Sequence, residues 1–236
     1  MKFTAKVKDL ARVVGIAAQA SSKASVMPLL QGVCLRSQAS YVLAQGIGHP
    51  SGLAITSACN IEPDEDGSCV VHAKRLEAAL KALPQSADVR LSFEQSRLLI
   101  LCGKSRLEMP AEDGDRFPGM PASPLADPVK LDSALFSDML GKVLHAASGE
   151  SGRAMSTVIH LRLEAHGRLT MEATDSRRAA RVSRLTEAAS PMDVLLPKEL
   201  AIELQSIIAS EGAESIELAM DRDTLRASIG QSALYG

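Results

Sequence analysis

Apolar and polar positions alternate along this chain in stretches that each predict an element. From Ala73 to Leu83, Leu76, Leu80 and Leu83 recur at helical spacing, leaving Lys74, Arg75 and Lys81 on the polar face. Val89, Leu91 and Phe93 then alternate as a half-buried strand. Glu94 to Arg97 turn, and Leu98, Ile100 and Cys102 return. The second half repeats the theme. Ile159, Leu161 and Leu163 alternate, Ala165 to Arg168 turn, and Leu169, Met171 and Ala173 run back.

Residues 74–107 and 198–234 read as two copies of one unit. A shift of 124 sets Lys74 on Lys198, Leu76 on Leu200, Leu80 on Leu204 and Leu83 on Ile207. Three extra loop residues later, a shift of 127 sets Val89 on Ile216, Leu91 on Leu218, Leu98 on Leu225, Gly103 on Gly230 and Ser105 on Ser232. Amphipathic helices match by chance, but the glycine and serine coincidences after both hairpins do not follow from amphipathicity. The opening segments match more weakly, with Asp9-Leu10 on Asp138-Met139 and Val14 on Val143. By this yardstick the second copy stops at Gly236, opposite Met109, so the second domain is expected to lack its closing segment.

Between the copies, Glu112 to Pro128 holds Pro118, Pro121, Pro124 and Pro128 without sustained periodicity. Proline removes ladder donors, so this stretch is a linker. The expected boundary lies near residue 124, with domains over 1–124 and 125–236.

Charge narrows the function classes. Lys and Arg total 26 against 28 Asp and Glu, so no whole-chain field draws the protein to nucleic acid or membrane. No Trp, two Tyr and four Phe leave little for a base-stacking platform. Cys34, Cys59, Cys69 and Cys102 form no C-x-x-C and read as buried free thiols. The opening MKFTAKVKDL lacks the apolar core of a signal peptide, and no apolar run approaches the roughly 18 residues of a span. A reducing cytoplasm is the expected compartment.

The catalytic motifs fail on inspection. Gly103-Lys104-Ser105 resembles the end of a phosphate-binding loop, but Leu98 stands where its first glycine belongs. Ser148 to Gly152 is not G-x-S-x-G. His49, His72, His145, His160 and His166 show no metal spacing. Asp175 beside Arg177 and Arg178 reads as a local ion pair. No enzyme, cofactor or metal is expected.

Four further stretches carry a specific resemblance: the MKFT start, Met27-Pro28-Leu29-Leu30, Gly103-Lys104-Ser105-Arg106 leading to Arg116-Phe117-Pro118, and Ala173-Thr174-Asp175-Ser176-Arg177-Arg178. In this order and spacing the chain resembles the bacterial DNA polymerase III beta subunit, the sliding-clamp family. The resemblance implies an α+β DNA-clamp fold of duplicated β-α-β-β-β units. It covers domain one and most of domain two, with the family's third domain absent from this chain. It implies a homodimeric ring around duplex DNA, held without sequence readout. The ring would be a non-catalytic processivity factor in DNA replication that tethers polymerase.

Family helices face the DNA. The cations this carries over are Lys8, Arg12, Lys74, Lys81, Lys142 and Lys198 on helices, with Lys23 and Arg153 in loops. The family's partner pocket receives short peptides from the polymerase III alpha subunit and the clamp loader. Its second-domain wall falls on Val158, Thr174, Ser176, Arg177, Arg178 and Ala179. The usual T-D-G-H-R-L reads T-D-S-R-R-A here, a more basic and shallower wall. The family's first T-D-L-like stretch is replaced near Gln45 to Ser51 by a reshaped loop. A stand-alone two-domain relative, acting as a peptide-binding adaptor or closing a ring of other stoichiometry, is the alternative reading. A phosphate-handling enzyme around Gly149 to Arg153 is the reading from another class.

Overall fold

In a computed structural model of the chain, the residues described are 1–21, 27–48, 52–148, 157–188, 190–221 and 224–236. They form two compact units. One comprises Met1–Ala122 with Gln231–Gly236, the other Ser123–Gly230.

The first unit opens with strand β1 (Lys2–Lys6) and helix α1 (Val7–Ala20), followed by β2 (Gly32–Gln38), β3 (Tyr41–Ile47) and β4 (Ala54–Asn60). A short acidic strand, β5 (Glu62–Glu65), precedes β6 (Gly67–His72) and helix α2 (Ala73–Lys81). Then come β7 (Asp88–Glu94), β8 (Arg97–Cys102) and β9 (Ser105–Asp113). The long β9 joins the halves: Ser105–Pro110 pair with β8, and Ala111–Asp113 pair with β6. Strand β1 lies between β7 and β5. Helices α1 and α2 pack side by side. Phe3, Leu10, Val14, Leu35, Leu76, Leu80, Leu91 and Ile100 form one continuous core.

The second unit runs β10 (Val129–Asp132), α3 (Ser133–Leu144), β11 (Val158–Leu163), β12 (Arg168–Thr174) and β13 (Ala179–Leu185). It continues with β14 (Met192–Pro197), α4 (Lys198–Glu211), β15 (Ser215–Met220) and β16 (Leu225–Ile229). One sheet contains β10-β15-β16 and the other runs β13-β12-β11-β14. Among the described residues β14 pairs only with β11, whereas β6 pairs with both β2 and β9. Asp132 caps α3 by accepting from the Leu135 amide at 2.6 Å. Gly212, at φ 61, ends α4 in the left-handed conformation, its N–H donating to Ile208 O.

The last strand, β17 (Ser232–Tyr235), belongs to the first unit, where it pairs with β4 from Ser232↔Ser57 to Tyr235↔Ala54. Buried Ser57 and Ser232 satisfy each other there at 2.8 Å.

The duplication extends through both helices of each unit and the strands around them, although β5 has no strand counterpart among the described residues of the second unit. Leu76, Leu80 and Leu83 are buried in the first unit, as are Leu200, Leu204 and Ile207 in the second. Gly103 and Gly230 both turn the chain at positive φ (57 and 56). The opening helices differ from the expected register. In the ladders, Phe3 and Ala5 face Leu91 and Val89, and Val129 and Leu131 face Leu218 and Ile216. Since Leu91 and Val89 correspond to Leu218 and Ile216, the true shift is 126 rather than 129. Of the seven buried positions of α1, Val7, Leu10, Val13, Val14, Ala17 and Ala20 then fall on Ser133, Phe136, Met139, Leu140, Val143 and Ala146, all buried, whereas Ile16 falls on exposed Lys142. Asp9 and Asp138 are not equivalent.

Candidate functional site

The expected DNA-side cations lie on the helices, but their side chains have different commitments. Lys8 and Lys74 are exposed and make no ion pair among the described residues. Arg12 is half-buried, its guanidinium donating to Ala58 O at 3.4 Å. Lys81 pairs with Glu77 and Lys142 with Asp138, each one helical turn earlier. Lys198 donates its ammonium to Ala147 O at 2.7 Å, so it ties α4 to the chain just beyond α3. Lys23 and Arg153 lie outside the described residues, as does the whole Gly149–Arg153 stretch.

The helix pairs therefore differ in sign. Helices α1 and α2 carry Lys8, Arg12, Lys74, Arg75 and Lys81 against Asp9 and Glu77. Helices α3 and α4 carry Lys142 and Lys198 against Asp138, Glu199, Glu203 and Glu211. Net positive charge thus lies on the first helix pair and net negative charge on the second.

The second candidate lies on the solvent side of the β13-β12-β11-β14 sheet. Alternation buries Ile159, Leu161, Met171 and Leu196, and turns Val158, His160, Glu172 and Leu195 outward. A cavity of about 550 Å³ opens on this outer face. Of the expected wall residues it brings together Val158, Thr174 and Ala179; Ser176, Arg177 and Arg178 do not line it. Its apolar lining is completed by Leu195, 48% exposed. A polar row crosses it: Arg181 Nε meets Glu172 at 2.9 Å, and His160 stands between Glu172 at 3.8 Å and Asp193 at 2.7 Å. The sequence held one signal for these residues. Val194-Leu195-Leu196 is an unbroken apolar run in a strand with only one buried face, so one of the three had to face outward.

Ser176, Arg177 and Arg178 instead belong to the turn beside the cavity. Thr174 Oγ1 donates to Arg178 O at 2.9 Å and accepts from the Ser176 amide at 3.2 Å. Asp175 Oδ1 accepts from the Arg177 and Arg178 amides at 3.0 and 2.9 Å, and its Oδ2 accepts from Arg178 Nε at 2.9 Å. These amide bonds, the Arg178 one foremost, hold the Asp175 carboxyl below its ordinary value. Ser176 sits at φ 73, a left-handed position. Arg177 is left exposed at the tip of a braced turn.

The remaining candidate chemistry dissolves into structure. Lys104 lies in the β8–β9 turn. The four cysteines are free and buried, and burial pushes the Cys34 thiol up to about 11 and the Cys59 thiol up to about 12. Among the described residues no cluster of His, Cys, Asp or Glu has metal-holding geometry, and no helix is long and apolar enough to cross a membrane.

With this geometry in hand, comparison with known proteins becomes specific. Residues 1–121 match the family described as DNA polymerase III beta subunit, N-terminal domain. The chain belongs to that family. The family is one of non-catalytic subunits. The beta sliding clamp of Synechococcus elongatus is 25% identical over 226 residues, spanning 94% of this chain and 60% of that protein. That of Caulobacter vibrioides is 24% identical over 245 residues, spanning 99% and 64%. The crystal structure of the DNA polymerase III subunit beta from Pseudomonas aeruginosa superimposes with a TM-score of 0.88 at 20% identity, covering all of this chain and 64% of that one. The sliding clamp from Caulobacter crescentus gives 0.90 at 24%. The DNA-clamp fold thus extends through both units, and the chain spans about 60% of the length of these relatives.

Proposed function

We propose that this chain supplies the first two domains, residues 1–124 and 125–236, of a sliding clamp. The clamp encircles duplex DNA without reading its sequence and tethers a replicative polymerase. The observation that carries this reading is the cationic helix pair α1–α2 on a duplicated clamp fold. A tether that must slide needs phosphate attraction too diffuse to hold one register. Five cations against two carboxylates provide that, with Lys8 and Lys74 the leading contacts. Arg12, Lys81 and Lys142 contribute where their present partners release them, Lys23 and Arg153 from their loops, and Lys198 least.

The cavity on the β11–β13 face takes an apolar side chain of a partner peptide against Val158, Ala179 and Leu195. Thr174 stands at its rim, and the braced turn offers Ser176, Arg177 and Arg178 to the peptide's flanking residues. Polymerase III alpha subunit and clamp loader are the partners this predicts, in the cytoplasm.

The test is retention of the protein on nicked circular DNA after loading, followed by linearisation. Retention on the circle that collapses on cutting supports encirclement. Equal retention on circular and linear DNA overturns it in favour of an adaptor that binds without threading. In parallel, Val158→Asp places a charge in the cavity and should weaken an alpha-subunit peptide at least tenfold while leaving DNA retention intact.

A further inference from the structure

The two units treat their first strand differently. In the first unit β1 has a strand on each edge. Val7 N–H bonds Ala87 O at 3.0 Å, which sets the odd residues of β1 towards β7 and the even ones towards β5. Acidic β5 fills that second edge, Thr4 facing Glu62. It is fastened from across β1, where Arg90 on β7 meets Asp64 at 2.7 Å. In the second unit Ser133 N–H bonds Glu214 O at 3.0 Å, so Val129 and Leu131 face β15 while the Lys130 and Asp132 backbone groups face outward. No described strand pairs with them. The connector that forms β5 in the first unit spans residues 61–66, and its counterpart at 186–191 has the same length. Among its described residues, 186–188 and 190–191, none pairs with β10. A groove of about 740 Å³ separates the two, with Val129, Leu131, Leu135 and Leu185 among its lining, Leu185 being 71% exposed.

Charge at this edge is inverted relative to the first unit. Lys2 and Lys6 of β1 become Pro128 and Asp132, and Arg90, which fastens β5, becomes Glu217. Glu187 and Glu214 add carboxylates along the groove. Lys130 and Glu217 are cross-strand neighbours, yet form no ion pair among the described residues. We propose that the open edge of β10 is a docking site for an extended, cationic peptide segment of a partner protein. It adds a strand to β10 as β5 does to β1, with Glu217 reaching across Lys130 to a basic side chain on the incoming strand. Backbone pairing supplies the affinity, the groove takes the alternate apolar side chains, and the carboxylates set the preference for cations. This groove shares no lining residue with the cavity on the β11–β13 face, so the inference stands apart from the clamp reading.

The probe is a labelled nine-residue peptide of alternating lysine and valine, compared with one of alternating glutamate and valine. Binding to the full chain is followed by fluorescence anisotropy, with amide exchange locating it. The lysine peptide should bind at least tenfold tighter and slow exchange at Lys130 and Asp132. Lys130→Pro deletes an outward N–H without touching the β15 ladder, and should cut binding tenfold or more at unchanged melting temperature. Lys130→Thr removes only a repelling charge and should tighten binding twofold or more. Glu217→Arg should reverse the preference towards the glutamate peptide. Equal binding of both peptides, protection elsewhere on the chain, or Lys130→Thr and Glu217→Arg variants indistinguishable from the parent would each overturn the proposal.

Discussion

One plan built twice has been specialised in opposite directions. In the first unit the fold is closed at close quarters. Gly46 on β3 lets α1 approach so tightly that an added Cβ would meet Ala17 O at 2.0 Å, and β5 seals the edge of β1. Its helices are cationic. In the second unit Ala173 stands where Gly46 does and Val143 where Ala17 does, so helix and sheet meet through side chains. Among the described residues its first strand has an open edge; its helices are net acidic, and its outer sheet face carries a cavity. The lesson is a division of labour. Under the proposed function, the tightly closed copy would present charge to a polyanion and the more open copy would present surfaces to peptides.

The largest effect should come from attacking the close approach. Gly46→Ala forces a Cβ into the backbone of α1 and should destabilise the first unit by about 3 kcal/mol. The reciprocal Ala173→Gly should cost the second unit about 1 kcal/mol. The cysteines separate these readouts, because all four lie in the first unit. Burial holds Cys34 and Cys59 protonated at pH 8, so labelling by a thiol reagent reports opening of that unit. Gly46→Ala should speed labelling by roughly a hundredfold, on the scale of tenfold per 1.4 kcal/mol. Ala173→Gly should leave it nearly unchanged. Equal acceleration by both would mean that the units open together.

Next in size is the charge contrast. Reversing Lys8 and Lys74 to Glu together should weaken loading on circular DNA by roughly tenfold and flatten its salt dependence. Reversing Lys142 and Lys198 should change DNA loading less than threefold, since these cations serve Asp138 and Ala147. Lys198→Glu should instead lower the melting temperature. Comparable losses from the two pairs would erase the division of labour on its DNA side.

How far the sequence carried this picture follows from what each feature rests on. The second helices and hairpins of both copies were legible because their leucines fall at helical spacing and their turn glycines need positive φ, two demands few residues meet. The opening helices were legible as helices but not in register. Asp9 and Asp138 look alike and are both on the surface, while the true equivalents pair Leu10 with Phe136 and Val13 with Met139. A core preserves burial across a duplication, not identity. Strand β5 was invisible, since Glu-Pro-Asp-Glu has no alternation and is held by Arg90 and the β1 backbone rather than by a core. The cavity was half legible. Thr174 and Ala179 sit in the quoted motif, whereas His160, Glu172 and Arg181 occupy outward strand positions that any solvated sheet face would fill with polar residues.

A smaller effect sits in the turns. Ser176 holds a left-handed conformation beside the cavity, and Gln95 and Ser96 do the same in the β7–β8 turn of the first unit. Ser176→Gly and Ser96→Gly should each stabilise their own unit by about 1 kcal/mol, seen as a higher urea midpoint. If the braced turn serves the peptide site, Ser176→Gly should also change affinity for an alpha-subunit peptide, which Ser96→Gly should not.

The smallest effect is electrostatic and separates two ways of lowering a carboxyl pKa. Glu108 in the first unit is held low chiefly by Arg106, with Arg97 adding to it. Asp175 in the second is held low chiefly by backbone amides, with the Arg178 side chain secondary. Both shifts have the same sign. A carboxyl whose pKa is depressed on folding lends stability at pH values above its unfolded pKa, and loses it as pH falls through the folded value. Glu108→Gln and Asp175→Asn should therefore each cost stability at pH 6, and each difference from the parent should shrink as pH drops below about 4. Salt then divides them. At 1 M salt the screening length is about 3 Å, so the exposed arginine pairs of Glu108 weaken and its contribution should largely vanish. The amides that bind Asp175 are fixed by the turn at 2.9 to 3.0 Å and carry no counterion to lose, so its contribution should persist. Loss of both in salt would show that the turn is held by Arg178 rather than by its backbone, and Arg178→Gln should then loosen it as much as Asp175→Asn does.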